Sequence, residues 1–179
     1  MKINEKMEKS SGFEDFFCGI QRICSNSNLR KSMLLGEIKK KGDEAMQLNI
    51  TTDYAIRVVL YLGQCQEKVS ASQISEDMCI PKGYLEKVLK KLKEAFYISA
   101  DLGTKGGYYL NKGLEDITLG ELIQVMENTV KINRCLEADE YCSRGAQTIC
   151  KIRRYYAKVQ AEMEERVFNI SLKEILDNS

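Results

Sequence analysis

The sequence predicts a mainly α-helical fold carrying one small β-hairpin, and three observations support that prediction. From Met46 onward, apolar residues recur at helical spacing in one segment after another. Between Tyr97 and Leu110 the pattern changes to two β-prone runs joined by a glycine-containing connection. The chain has a single proline, Pro81, so breaks between helices are made by polar caps and glycines instead.

The elements follow in order. Ala55, Val58, Val59 and Leu62 form an apolar stripe after Thr51 and Thr52, which are cap candidates. Ser70-Ala71-Ser72-Gln73 has the capping-box pattern and opens a short helix to about Met78. Cys79-Ile80-Pro81 interrupts, and Pro81 suits the first turn of the next helix. That helix runs to about Ala95, with Leu85, Val88, Leu89, Leu92 and Phe96 on one face. Two short helices about a tight turn, the second rich in lysine, describe a helix-turn-helix. Tyr97–Ala100 and Gly107–Leu110 are then strand candidates, joined by Asp101–Gly106 as a hairpin loop. A lysine-rich helix followed directly by such a hairpin is the arrangement of a winged helix. Farther on, Thr118 and Glu121 form a second capping box, opening a helix to about Asn128. Residues 151–169 carry a stripe of Ile152, Tyr155, Tyr156, Val159, Met163, Val167 and Phe168, and Ser171 opens a last short helix. The long amphipathic helix reads as a homodimer seam, the alternative being packing within one subunit. The expected fold class is therefore a winged helix-turn-helix, mainly α with a small β-hairpin wing, plus a long C-terminal dimerisation helix.

Three regions follow: 1–45, a translated leader or disordered arm; 46–112, a winged helix-turn-helix for DNA binding; and 113–179, a cysteine loop with dimerisation helices. Lys41-Gly42-Asp43 can be encoded by a purine-rich ribosome-binding sequence ahead of Met46, which supports the leader reading. At 44% hydrophobic and 30% charged, the 179 residues describe a globular protein. No apolar run approaches the roughly 18 residues of a membrane span, and the N-terminus lacks a signal-peptide core. The expectation is a cytoplasmic protein with no membrane association. Residues 46–179 carry 18 basic and 19 acidic side chains, so any nucleic-acid contact must come from a local patch.

Lys82, Tyr84, Lys87, Lys90 and Lys91 provide that patch, opposed by only Glu86 and Glu94. A solvated face is the plain alternative. The adjoining hairpin favours double-stranded DNA, with the lysine helix in the major groove and Ser72, Gln73, Thr104 and Lys105 as further contacts. Lys82 and Tyr84, near the helix start, suit base edges; Lys87, Lys90 and Lys91 suit phosphates.

Chemistry points elsewhere. Histidine is absent, and there is neither a Cys-x-x-Cys pair nor a nucleophile motif, which argues against an enzyme. The seven cysteines are an odd number, and in a reducing compartment they suggest metal or redox chemistry rather than a disulfide framework. Cys135, Cys142 and Cys150 are separated by gaps of six and seven residues, which match neither zinc knuckles nor ferredoxins. They read as small buried hydrophobes, or as ligands in a polar loop between two helices.

MQLNITTDYAIRVVLYL, ISEDMCIPKGYLEKVLKKL, GTKGGYYL and ITLGELIQVME, in this order, resemble the Rrf-two family of winged-helix regulators, over essentially all of 46–179. The resemblance implies homodimers on palindromic operators, acting mainly as repressors. It also implies that Cys135, Cys142 and Cys150 hold an iron–sulfur cluster, [4Fe-4S] in preference to [2Fe-2S]. In IscR-like members a histidine completes the ligand set; here Arg153 stands at that place. In NsrR-like members an aspartate of the partner's first helix does so, and Asp53 matches it. Such members respond to nitric oxide, redox state or cluster supply, whereas CymR-like members use thiols or a partner protein. One departure is Leu102, where the family usually has an arginine before the first wing glycine.

Overall fold

The computed structural model describes residues 48–103 and 106–178. The leader reading of residues 1–45 and the wing residues Thr104 and Lys105 lie outside them. The elements are α1 (Ile50–Gln64), α2 (Ala71–Asp77), α3 (Lys82–Glu94), β1 (Ile98–Asp101), β2 (Gly107–Leu110), a 3-10 turn (Leu114–Asp116), α4 (Leu119–Glu127), a 3-10 turn (Arg134–Leu136), α5 (Lys151–Met163), which continues as a π-helical stretch (Glu164–Phe168), and α6 (Leu172–Asp177).

Local chemistry sets most of these boundaries. Ser70 and Ser171 accept the N–H groups of Gln73 and Glu174, and Thr118 and Glu121 form a complete capping box. Asn128, the α4 cap, sits at φ 66°, a left-handed conformation that asparagine tolerates better than most residues. Two expectations are corrected. The cap of α1 is Asn49, whose side chain accepts the Thr51 N–H at 3.1 Å, rather than Thr51 or Thr52. Phe96 is 77% exposed instead of lying on the buried face, because α3 ends at Glu94 and Phe96 itself turns left-handed at φ 60°.

The core forms where α1 meets α3, α4 and the hairpin. Ala55, Val58 and Val59 of α1, Ile74 of α2, Leu85, Val88 and Leu92 of α3, and Leu122 of α4 are buried there. The Tyr61 hydroxyl donates to Asp77 at 2.5 Å, fixing α2 against α1. β1 and β2 pair antiparallel with Ile98 opposite Leu110 and Asp101 opposite Gly107. Val69, outside the hairpin, adds a bridge to β2 by exchanging both backbone hydrogen bonds with Tyr108, at 3.0 and 2.8 Å. Gly107 is required for that approach, since a Cβ there would lie 2.8 Å from the Val69 carbonyl oxygen. The fold is thus a winged helix-turn-helix, mainly α with one hairpin. At the far end α6 docks back on the 3-10 turn that precedes α4, with Leu172 N–H donating to the Ile117 carbonyl at 2.9 Å. Among the described residues, no helix is long and apolar enough to cross a membrane.

Candidate nucleic-acid interface and cysteine loop

The turn between α2 and α3 is clamped from both sides. Ser75 Oγ donates to the Ile80 carbonyl at 2.8 Å, Ile80 N–H donates to the Ser75 carbonyl at 3.0 Å, and Cys79 takes φ 52° between them. With Leu85, Val88, Leu89 and Leu92 buried on one side, the other side of α3 presents Lys82, Tyr84, Lys87 and Lys90 to solvent. Ser72 and Gln73 are exposed at the start of α2. Among the described residues, only Lys90 pairs with an acidic side chain on this face, Glu94 at 3.8 Å, an exposed pair of small energetic weight. The positive patch therefore survives the acidic side chains of α3 itself. Lys91 is exposed as well, and its ammonium donates to the Met126 carbonyl at the end of α4, at 3.0 Å.

Tyr84 anchors the start of this face. Its ring meets Tyr54 of α1 edge to face at 5.9 Å between centroids, with the Lys87 ammonium 5.8 Å from the Tyr84 centroid. Arg57 stacks over Tyr54 at 5.7 Å and pairs with Asp53 at 2.5 Å. Asp53 thus connects through Arg57 and Tyr54 to Tyr84 on the lysine face of α3. On the wing, Asp101 is neutralised by an ion pair with Lys68, which also lies over the Tyr109 ring. That removes an anion from the edge that would approach phosphate. Leu102 is fully exposed, and Gly103, at φ 107°, makes the bend that follows.

Cys135, Cys142 and Cys150 are free, each half-buried, in the stretch between α4 and α5. Cys135 lies in the 3-10 turn, its N–H donated to the Asn133 side chain at 3.2 Å. The Cys142 thiol is held below the ordinary thiol range by the backbone N–H groups of Ala146, Arg144 and Gly145. Cys150 caps α5, its sulfur accepting the Arg153 N–H at 3.4 Å. Arg153 laces the loop together, donating to the Cys135 carbonyl at 3.0 Å and to Glu140 at 2.6 Å.

The chemistry of this donor set suits an iron–sulfur cluster. Thiolate is its preferred ligand, two of the sulfurs already accept N–H groups, and Arg134, Arg144, Lys151, Arg153 and Arg154 offset the negative charge of such a centre. Among the described residues, however, no three Cys, Asp or Glu side chains stand close enough to hold a metal ion. One loop brings the cysteines into the same neighbourhood without closing them into a site.

Residues 48–178 match the Rrf2 family, described as iron-dependent transcriptional regulators. The chain belongs to the Rrf2 family. Within it, the chain is similar to the HTH-type transcriptional regulator NsrR of Bacillus subtilis, 33% identical over 97 residues, or 53% of this chain and 66% of that protein. Among solved structures it resembles CymR, the global cysteine regulator of B. subtilis, with TM-score 0.60 at 18% identity, covering 75% of this chain and 99% of that one. It also resembles T. potens IscR, with TM-score 0.58 at 23% identity, covering 76% and 90%. These two likenesses establish the shared Rrf2 fold.

Sequence reasoning missed Tyr54, Arg57 and Lys68. Tyr54 and Arg57 lie off the apolar stripe of α1, and an aromatic with a basic partner three residues on was the available signal. Nothing in the sequence paired Lys68 with Asp101, because the pairing depends on Val69 joining the hairpin.

Proposed function

We propose that this chain is a homodimeric, cytoplasmic repressor that binds a palindromic operator with affinity controlled by an iron–sulfur cluster. Cys135, Cys142 and Cys150 would hold the cluster, [4Fe-4S] in preference to [2Fe-2S], with the partner subunit's Asp53 as the fourth ligand. The observation that carries this reading is the placement of three free, half-buried thiols in one loop of a winged-helix chain. When bound, the cluster supplies a centre labile to nitric oxide, redox state or iron supply.

The rest is work for the chain's own residues. Lys82 and Tyr84 sit at the start of α3, where side chains reach base edges. Lys87 and Lys90 face phosphates, Ser72 and Gln73 lie beside the groove, and Thr104 and Lys105 extend the wing. Asp53 and Arg57 stand one ring contact from Tyr54, and Tyr54 touches Tyr84. A change at Asp53 therefore reaches the base-reading end of α3 through packed groups. Ile152 and Tyr155 on α5 are 55% and 61% exposed in the single subunit, an apolar face that a second copy would cover. A carboxylate among thiolates is the weaker ligand for iron, which makes Asp53 the natural point of release.

The separation of the cysteines in the present loop favours a second reading, a cluster-free regulator working through thiols or a partner protein. Anaerobic purification with an absorption spectrum and iron and sulfide assays distinguishes the two. A brown protein with about four irons per chain supports the first reading. A colourless protein after anaerobic reconstitution supports the second.

A further inference from the structure

The last turn of α4 is bonded to both helices that flank it on the DNA side. Glu127 Oε1 accepts the backbone N–H of Asn49 at 2.7 Å and the Thr52 hydroxyl at 2.5 Å. Thr52 is 0% exposed, so its hydroxyl has no water to turn to. One residue earlier, the Met126 carbonyl accepts the Lys91 ammonium at 3.0 Å. Carbonyls at a helix C-terminus lack partners within the helix and favour a cation, so this bond is well matched.

The same turn opens into the cysteine segment. Past Asn128 the chain is tied to α5 through Gln160, which is 4% exposed. Its amide donates to the Val130 carbonyl at 3.1 Å and accepts the Ile132 N–H at 2.9 Å, while Lys131 pairs with Glu164 at 2.6 Å. Cys135 follows three residues after Ile132. Hydrogen bonds and the backbone together thus run within one subunit from α3 through the end of α4 to Ile132, three residues before the first cysteine.

We propose that Lys91 is a positioning residue that links the setting of α3 to that of the cysteine segment through the Met126 carbonyl, with Glu127 fixing α1 to the same helix end. The inference deepens the operator-binding reading above and rests on it. Removing an ammonium that serves only the Met126 carbonyl leaves the salt dependence of operator affinity unchanged, whereas removing one that sits on a phosphate lowers it, so the two roles for Lys91 give different results.

The experiment uses the iron-free full chain. Iodoacetamide labelling of Cys135, Cys142 and Cys150 is followed by mass spectrometry, with and without a saturating operator fragment. Binding energies between linked sites are reciprocal, so the operator changes the labelling rate in the natural protein, by about fivefold or more. Lys91→Met keeps the apolar stem and loses the ammonium; it abolishes most of that change, and Lys91→Arg retains it. An undiminished change in Lys91→Met, or none in the natural protein, overturns the proposal. Salt titration of operator affinity gives a second readout: Lys91→Met leaves the slope unchanged, whereas a fall of about one unit marks a phosphate contact and overturns it. Failure to take up iron sinks the cluster reading alone, because the labelling needs no iron. A chain that retains no operator fragment overturns both.

Discussion

Residues 48–128 and 129–171 are built on different principles. The first stretch holds all but one of the buried apolar side chains among the described residues, Leu172 being the exception, in a core that α1, α3, α4 and the hairpin enclose. In the second, Gln160 is the one buried side chain, while Ile149, Ile152, Tyr155 and Val167 lie open. Order there comes from polar lacing: Arg153 to the Cys135 carbonyl and Glu140, Gln160 to Val130 and Ile132, and Arg134 to Asp139. An apolar core is stable alone, whereas exposed ion pairs contribute little. The contrast teaches that the winged-helix half is held by a core of its own, whereas the cysteine half is held by polar contacts at its surface.

The sharpest way to break that contrast is to damage each half in turn. Leu92→Ala removes a 0% exposed core side chain and should cost about 2–5 kcal/mol in denaturant unfolding. Val167→Ala, at 42% exposure, should stay within about 0.5 kcal/mol. Equal costs would mean that the second half carries a core of its own.

A smaller effect is expected from charge on the open face. Ile152→Glu with Tyr155→Glu should leave helical content intact in circular dichroism, while sedimentation shows monomers and operator retention falls by roughly a hundredfold. Dimers that persist at micromolar concentration would place the seam elsewhere.

Thiol reactivity sharpens the comparison further. Burial pushes the Cys65 thiol up, whereas the backbone N–H groups of Ala146, Arg144 and Gly145 pull Cys142 down. The lowered group holds more thiolate at neutral pH, so alkylation of Cys142 in iron-free protein should rise at lower pH than that of Cys65. Both rising together, or Cys65 rising first, would contradict the environments assigned here. The smallest change expected is Lys87→Ala, which should weaken all DNA sequences alike and flatten the salt slope by about one unit. Altered base preference at constant slope would move Lys87 from phosphate to base contact.

Much of the winged-helix half was legible because its signals are local. Capping at Ser70, Thr118 and Ser171, the apolar stripe of α3 and the glycines of the hairpin each act within a few residues. Where a local signal met a tertiary partner, the reading failed. Thr52 looked like a cap candidate, yet its hydroxyl is taken by Glu127, far along the chain, and capping falls to Asn49. Phe96 kept helical register on paper, but the helix had already ended. Other tertiary contacts simply left no trace in the sequence, such as the bond from Lys91 to the Met126 carbonyl, which Lys87 and Lys90 do not share. The cysteines were legible as a group by type and loop; their distances from one another were not.

The sequence by itself determined the order of elements, the lysine face of α3 and the thiol-bearing loop, because caps, periodicity and residue type are properties of neighbouring residues. Only the tertiary structure decided which of those lysines bonds to α4, how Asp53 reaches Tyr84 through Tyr54, and that α4 is joined to both α1 and α3. Those contacts depend on how separate helices pack, and packing depends on the whole core at once.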